Sequence, residues 1–217
     1  MNRFEAVVFD MDGVITDTEK LYRRFQLEEG RSRGITDEEM EKVCLAIAGG
    51  NKFTNKPKFE AIVGRGIDYF EYREKMMARM DNYISENGVE LKAGVKEILP
   101  YLKEKGIKIG LATSTVRERA TGYLVDHDIY KYFDKLIFGD MVENGKPAPD
   151  IFLKACQELG VSPEKTIAVE DSVNGIKSAG AAGTYAVMVV DLIEPNEDVI
   201  PIAKEIYRTI TDIKKLI

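Results

Sequence analysis

Ala6-Val7-Val8-Phe9-Asp10-Met11-Asp12-Gly13-Val14 holds four consecutive apolar residues that run straight into two carboxylates, two positions apart, and a glycine. A strand with no polar face must be covered on both sides, which is the condition of a parallel sheet between helical layers. Apolar runs of the same kind recur at residues 107–112, 136–138, 166–169 and 185–190. Between them lie segments of helical period, at 95–105, 116–126, 150–159 and 173–181. Strands alternating with helices in this way predict an α/β fold, a Rossmann-like doubly wound parallel sheet.

One interval departs from the alternation. From Thr18 to about Val89 no strand-like run occurs, only charged helical stretches at 19–29, 37–47 and 69–86. That is too long for a crossover connection. We therefore expect a core of residues 1–17 and 90–217, with 18–89 inserted as an α-helical cap domain. Ligands of open α/β sheets bind at the C-terminal edge of the strands, so an insertion directly after the first strand lies over such a site.

Four strand ends carry residues suited to phosphate chemistry. Asp10 and Asp12 follow the first strand, and Gly13 lets the chain turn sharply. Taken alone, Asp-x-Asp-Gly is also an ordinary loop sequence, and an EF-hand fails because Val14 stands at its fifth position. After the second strand come Thr113, Ser114 and Thr115, hydroxyls and amides at a helix start that can cradle a phosphate or simply cap the helix. Gly145-Lys146-Pro147-Ala148-Pro149-Asp150 follows the third, with two prolines holding Lys146. After the fourth, Glu170 and Asp171 stand adjacent and repel unless a cation lies between them. All four signals fall at one edge of one sheet. Oxygen-only ligands from Asp10, Asp12, Glu170 and Asp171 select a hard cation, Mg²⁺.

Composition narrows the partners. The 217 residues are 44% hydrophobic and 31% charged, the balance of a globular protein with a real core. Lys plus Arg number 31 and Asp plus Glu 37, a net charge of −6, which argues against nucleic acid as a partner. An anionic substrate then needs local cations, amides or a metal. Cys44 and Cys156 have no CxxC spacing and read as reduced packing residues, and the single histidine, His127, excludes a multi-histidine metal site. No signal-peptide pattern opens the sequence and no apolar run nears the roughly 20 residues that span a bilayer. A cytoplasmic monomer without membrane contact is expected.

With these residues in view, the sequence resembles the haloacid dehalogenase superfamily of aspartate-nucleophile phosphotransferases, in its β-phosphoglucomutase-like phosphatase branch. The motifs stand in order: Asp10-Met11-Asp12-Gly13-Val14, Thr113-Ser114, Lys146 in Gly-Lys-Pro-Ala-Pro-Asp, and Glu170-Asp171-Ser172-Val173-Asn174-Gly175. The resemblance implies a Rossmann-like core with a helical cap, Asp10 as nucleophile forming an aspartyl-phosphate, and Asp12 as general acid and then base. It implies that Lys146 and Mg²⁺ neutralise the crowded charge, and that Thr113 and the Ser114 amide hold the non-reacting phosphate oxygens. The metal would be bound by Asp10, the Asp12 backbone carbonyl and Asp171, with Glu170 either a ligand or one layer behind it.

Dehalogenases and phosphonatases of the superfamily lack an aspartate at the place of Asp12, so phosphate-ester chemistry is expected. True β-phosphoglucomutases carry a cap histidine where this chain has Tyr22. A phenol, with an ordinary pKa near 10, is no imidazole at neutral pH, and this favours hydrolysis over phosphosugar mutase activity. His127 is expected to be a surface or packing residue. Lys52, in Gly49-Gly50-Asn51-Lys52, stands where relatives place a substrate-contacting base, or is a solvated lysine in a glycine turn. A phospho-accepting regulatory domain places its acid pair first and its phosphorylated aspartate mid-chain, the reverse of the order here. A binding protein that keeps the fold without activity is disfavoured because every expected catalytic side chain is present. The expected substrate is a small phosphorylated metabolite of the sugar phosphate class.

Overall fold

The computed structural model describes residues 3–217. Strands β1 (Ala6–Phe9), β2 (Lys108–Thr113), β3 (Lys135–Phe138), β4 (Thr166–Glu170), β5 (Tyr185–Val189) and β6 (Glu205–Tyr207) form one sheet ordered β3-β2-β1-β4-β5-β6. Every neighbouring pair is parallel. The alternation within β1 explains its uniform hydrophobicity. Val7 and Phe9 enter one core with Ile109, Leu111, Ile98, Leu99 and Leu102, whereas Ala6 and Val8 enter another with Ala112, Phe152, Ala155, Ala168 and Ala186. Helices α5 (Val95–Glu104) and α6 (Arg117–Asp126) cover the first face, α7 (Asp150–Leu159) and α8 (Val173–Ala181) the second. Alanines on the second face leave space for those helices to sit close.

Register decides where the polar residues emerge. Phe9 pairs with Leu111 on one side and Val169 on the other, so Asp10 and Glu170 leave their strands at the same height on the C-terminal edge. The expected doubly wound sheet is thus present, with one strand more than the apolar runs indicated. β6 has no buried residue, Ile206 being exposed and Glu205 and Tyr207 half-buried, and no apolar run to reveal it.

Between β1 and α5 the described residues form α1 (Glu19–Ser32), α2 (Asp37–Ile47), α3 (Lys52–Val63) and α4 (Tyr69–Asn87), with no strand among them. Their buried residues make clusters of their own, Met40, Val43, Phe59, Tyr69 and Tyr72 in one, Phe25, Met76, Met77 and Met80 in the other. Capping boxes start two of the helices, Thr36 with Glu39 for α2 and Asn51 with Thr54 for α3. The outgoing and returning segments run side by side, with Asp17 N donating to Glu90 O at 2.8 Å and Lys92 N to Ile15 O at 2.9 Å. Lys92 Nζ then ties Asp17 Oδ1 (3.0 Å) to Asp191 Oδ1 (2.6 Å), two residues beyond β5.

Both cysteines are free thiols, although Cys44 is only half-buried and lines a cavity instead of a core. His127 is a packing residue, its Nε2 2.7 Å from Val89 O. Among the described residues no helix is long and apolar enough to cross a membrane.

Candidate active site

Lys146 is 1% exposed, and its ammonium is saturated by three acceptors: Asp10 Oδ1 at 2.6 Å, Glu170 Oε1 at 2.6 Å and Ala112 O at 3.1 Å. Burial alone would push its pKa down, but the two carboxylates outweigh burial and hold it above the usual lysine range. Glu170 is anchored from below as well, its Oε2 accepting from Asp171 N, Ser172 N and Ser172 Oγ at 3.0–3.2 Å. The loop after β3 therefore delivers a cation between two strand ends that would otherwise repel.

Carboxylate oxygens of Asp10, Glu170 and Asp171 lie within 4.8 Å of one another, all three residues buried. Glu19, the first residue of α1, adds a further acid: burial first, then Asp12 and Asp10, push its carboxyl up to about 8. Burial and then Glu19 and Glu170 push Asp171 well above the usual carboxylate range. Asp10 is pushed up to about 8, burial raising it, Lys146 opposing, and Glu170 and Asp12 adding to the rise. One ammonium does not balance this many acids in a site of low dielectric. An all-oxygen donor set with excess negative charge fits a hard divalent cation such as Mg²⁺. Gly13 makes the arrangement possible. Its φ is +81°, and a Cβ there would lie 2.2 Å from Asp171 Oδ2.

Asp12 is held by partners of its own. Its Oδ2 accepts from Thr115 Oγ1 at 2.6 Å and its Oδ1 from Thr18 Oγ1, whose own oxygen lies 3.0 Å from Thr16 Oγ1. Two threonines from different segments thus fix one carboxylate. Tyr22, one turn along α1 from Glu19, faces the same space, and burial and then Asp12 push its phenol further above the ordinary value.

A cavity of about 540 Å³ opens between the sheet edge and the helices of the insert. Asp10, Asp12, Glu19, Tyr22, Ser114 and Asp171 line its floor and sides. Lys52 lines it too, as the first residue of α3 and not in a glycine loop as the sequence suggested. Thr113 is fully buried, and its Oγ1 accepts from Thr115 N at 2.9 Å, so its hydroxyl shapes the loop from behind. Ser114 Oγ donates to Gly49 O at 3.0 Å, which directs that hydroxyl to the insert. Glu19 and Thr18 escape sequence reasoning, and Thr115, read from the sequence as part of a phosphate cradle or a helix cap, instead holds Asp12. A glutamate at a helix start reads as a partner of the helix dipole, and threonines read as caps.

A buried aspartate paired with a lysine at the edge of a doubly wound sheet, a second aspartate two residues on, and an acid pair after the fourth strand define a hydrolase class. The family model for haloacid dehalogenase-like hydrolases matches residues 4–183, and the chain belongs to that family of enzymes. Among curated relatives, a phosphorylated carbohydrates phosphatase of Thermotoga maritima is 38% identical over 183 residues, covering 82% of each chain. A β-phosphoglucomutase of Bacillus subtilis is 34% identical over 199 residues, 85% of this chain and 83% of that one. Among solved structures, CbbY from Rhodobacter sphaeroides in complex with phosphate is similar over 97% of this chain and 96% of that one, with a TM-score of 0.77 and 26% identity.

Proposed function

We propose that this chain is a Mg²⁺-dependent phosphatase of a small phosphorylated metabolite, a sugar phosphate, working through an aspartyl-phosphate at Asp10. The observation that carries it is the pairing of Asp10 with buried Lys146 beside an independently held Asp12. An Asp10 oxygen attacks phosphorus in line, forming the Oδ–P bond while the bond to the leaving oxygen breaks. Asp12 gives its proton to that oxygen, then takes one from the water that cleaves the aspartyl-phosphate, so the enzyme returns to its starting state. Lys146 offsets the repulsion between carboxylate and phosphate, and the amide of Ser114 with the Thr113 loop holds the non-reacting oxygens. Asp10, the Asp12 carbonyl and Asp171 would hold Mg²⁺, with Glu170 beside them. Bound there, the ion supplies charge neutralisation at the phosphate.

The insert at 18–89 acts as a cap that excludes water from Asp10, and Lys52 contacts the substrate from the cap wall. The relative acting on phosphorylated carbohydrates supports the substrate class. The relative named β-phosphoglucomutase favours a second reading, a phosphosugar mutase. Tyr22 weighs against it, because a phenol whose pKa is raised further is a poor proton carrier at neutral pH. The test is phosphate release from hexose, pentose and polyol phosphates with Mg²⁺ and with EDTA. Metal-dependent release from a few members, abolished by Asp10→Asn with the fold intact, is expected. An active Asp10→Asn protein refutes the mechanism. Conversion of β-glucose 1-phosphate to glucose 6-phosphate on addition of a bisphosphate, without release, establishes the mutase instead.

A further inference from the structure

Besides the two crossing segments, the Ser114–Gly49 bond and an Arg119–Asp81 ion pair at 2.8 Å, the insert meets the core at α8. Asn174, in the first turn of α8 and 9% exposed, donates through Nδ2 to Ala48 O at 2.6 Å and to Ala46 O at 3.4 Å. Its Oδ1 accepts from Lys58 Nζ of α3 at 3.1 Å, and the same ammonium donates to Ala46 O at 3.0 Å. Asn174 therefore spends both its donor and its acceptor on the insert, and Lys58 closes a ring through Ala46. Gly49 lies against the core just beyond: its φ is +72°, and a Cβ there would stand 2.2 Å from Ser172 Oγ. Segment 46–50 is thus pressed flat on the loops that follow β2 and β4. It leads directly into Asn51 and Lys52 on the cavity wall.

We propose that Asn174 and Lys58 form a clasp that helps hold the insert closed over the reaction centre, making Asn174 a positioning residue for the reaction; this rests on the phosphatase reading above. The clasp is polar throughout, so water replaces every bond when it opens, and opening strands no unpaired group. It also sits three residues beyond Asp171, on the helix whose first amides anchor through Ser172, which itself holds Glu170. Closure is thereby referred to the same turn that fixes the acid pair. A substrate whose hydroxyls bond to the insert gains from the closed geometry, whereas an aryl phosphate without hydroxyls is held through its phosphate at the sheet edge.

The experiment uses the full chain as Asn174→Ala, Lys58→Met and Lys58→Arg. Hydrogen exchange of the amides at 46–51 reads the clasp itself, and steady-state kinetics on the best sugar phosphate and on 4-nitrophenyl phosphate read its use. Expected for Asn174→Ala and Lys58→Met are faster exchange confined to 46–51, an unchanged melting temperature, and a loss of about tenfold in kcat/KM for the sugar phosphate, carried by KM. Hydrolysis of 4-nitrophenyl phosphate should change less than about twofold, and Lys58→Arg, which keeps its donors, should restore both readouts. Unchanged exchange at 46–51, or equal kinetic losses on both substrates, overturns the proposal. If the wild type hydrolyses no phosphate ester, the phosphatase reading falls while the exchange data still decide whether the clasp exists.

Discussion

Removing divalent cations should destabilise this chain much more at pH 8 than at pH 5.5. Burial is the main reason Asp10 gives up its proton only at about 8 in the folded state, against an ordinary value of 3.8. The folded chain thus keeps a proton that the unfolded chain has already released, and stability falls as pH rises through that window. From pH 5.5 to pH 8, at about 1.4 kcal/mol per pH unit, Asp10 alone removes about 3 kcal/mol. For a chain of this size that is roughly 6–12 °C in melting temperature. Glu19 and Asp171 are pushed in the same direction and add to the fall. A divalent ion among the carboxylates favours their charged forms, so added Mg²⁺ should raise the melting temperature at pH 8 and hardly at all at pH 5.5. Thermal unfolding followed by circular dichroism in EDTA and in Mg²⁺, at several pH values, makes the comparison. Asp10→Asn should flatten part of the EDTA curve. A melting temperature in EDTA that is level from pH 5.5 to 8, or a Mg²⁺ effect equal at both ends, would refute the reasoning.

Four further substitutions probe separate parts of the site. Lys146→Met leaves Asp10 and Glu170 buried without their cation and should cost about 3–5 kcal/mol in urea unfolding at pH 8, less at pH 5.5 where Asp10 holds its proton, with turnover lost. Thr115→Val and Thr18→Val each remove one hydroxyl that holds Asp12; kcat should fall about tenfold singly and about a hundredfold together while the melting temperature stays put, and unaltered kcat would remove the threonines from the mechanism. Gly13→Ala drives a methyl into Asp171 at a positive φ, so calorimetry should show Mg²⁺ affinity lost; retained affinity would mean that Asp171 does not hold the ion.

The sheet was legible because the strands buried on both faces carry unbroken apolar runs through their middles, and chain order then delivers Asp10, Lys146 and Glu170 to one edge. What escaped has physical causes. α3 follows two glycines and carries Pro57, so its start reads as a loop, although the Asn51 and Thr54 capping box overrides that signal. β6 lies at the edge, where no burial demands an apolar run. The burial of Lys146 follows from acid partners 24 and 136 residues away, which no local pattern reveals. Glu19's place beside the acids and the contacts of Asn174, which the sequence shows only as part of the last motif, depend on how the insert lies on the sheet, and that placement is set by tertiary contacts.

The position of β1 at the centre of the sheet bears on how the protein is made. β1 leaves the ribosome before both of its sheet neighbours, β2, beginning at residue 108, and β4, ending at residue 170. At about 5–20 residues per second, its apolar run waits several seconds for the first partner and longer for the second. Helices α1 to α4, whose contacts are local, can collapse meanwhile on their own clusters. Nascent chains halted before residue 166 therefore present one uncovered edge of a four-residue hydrophobic strand, an attractive substrate for chaperones and a seed for aggregation.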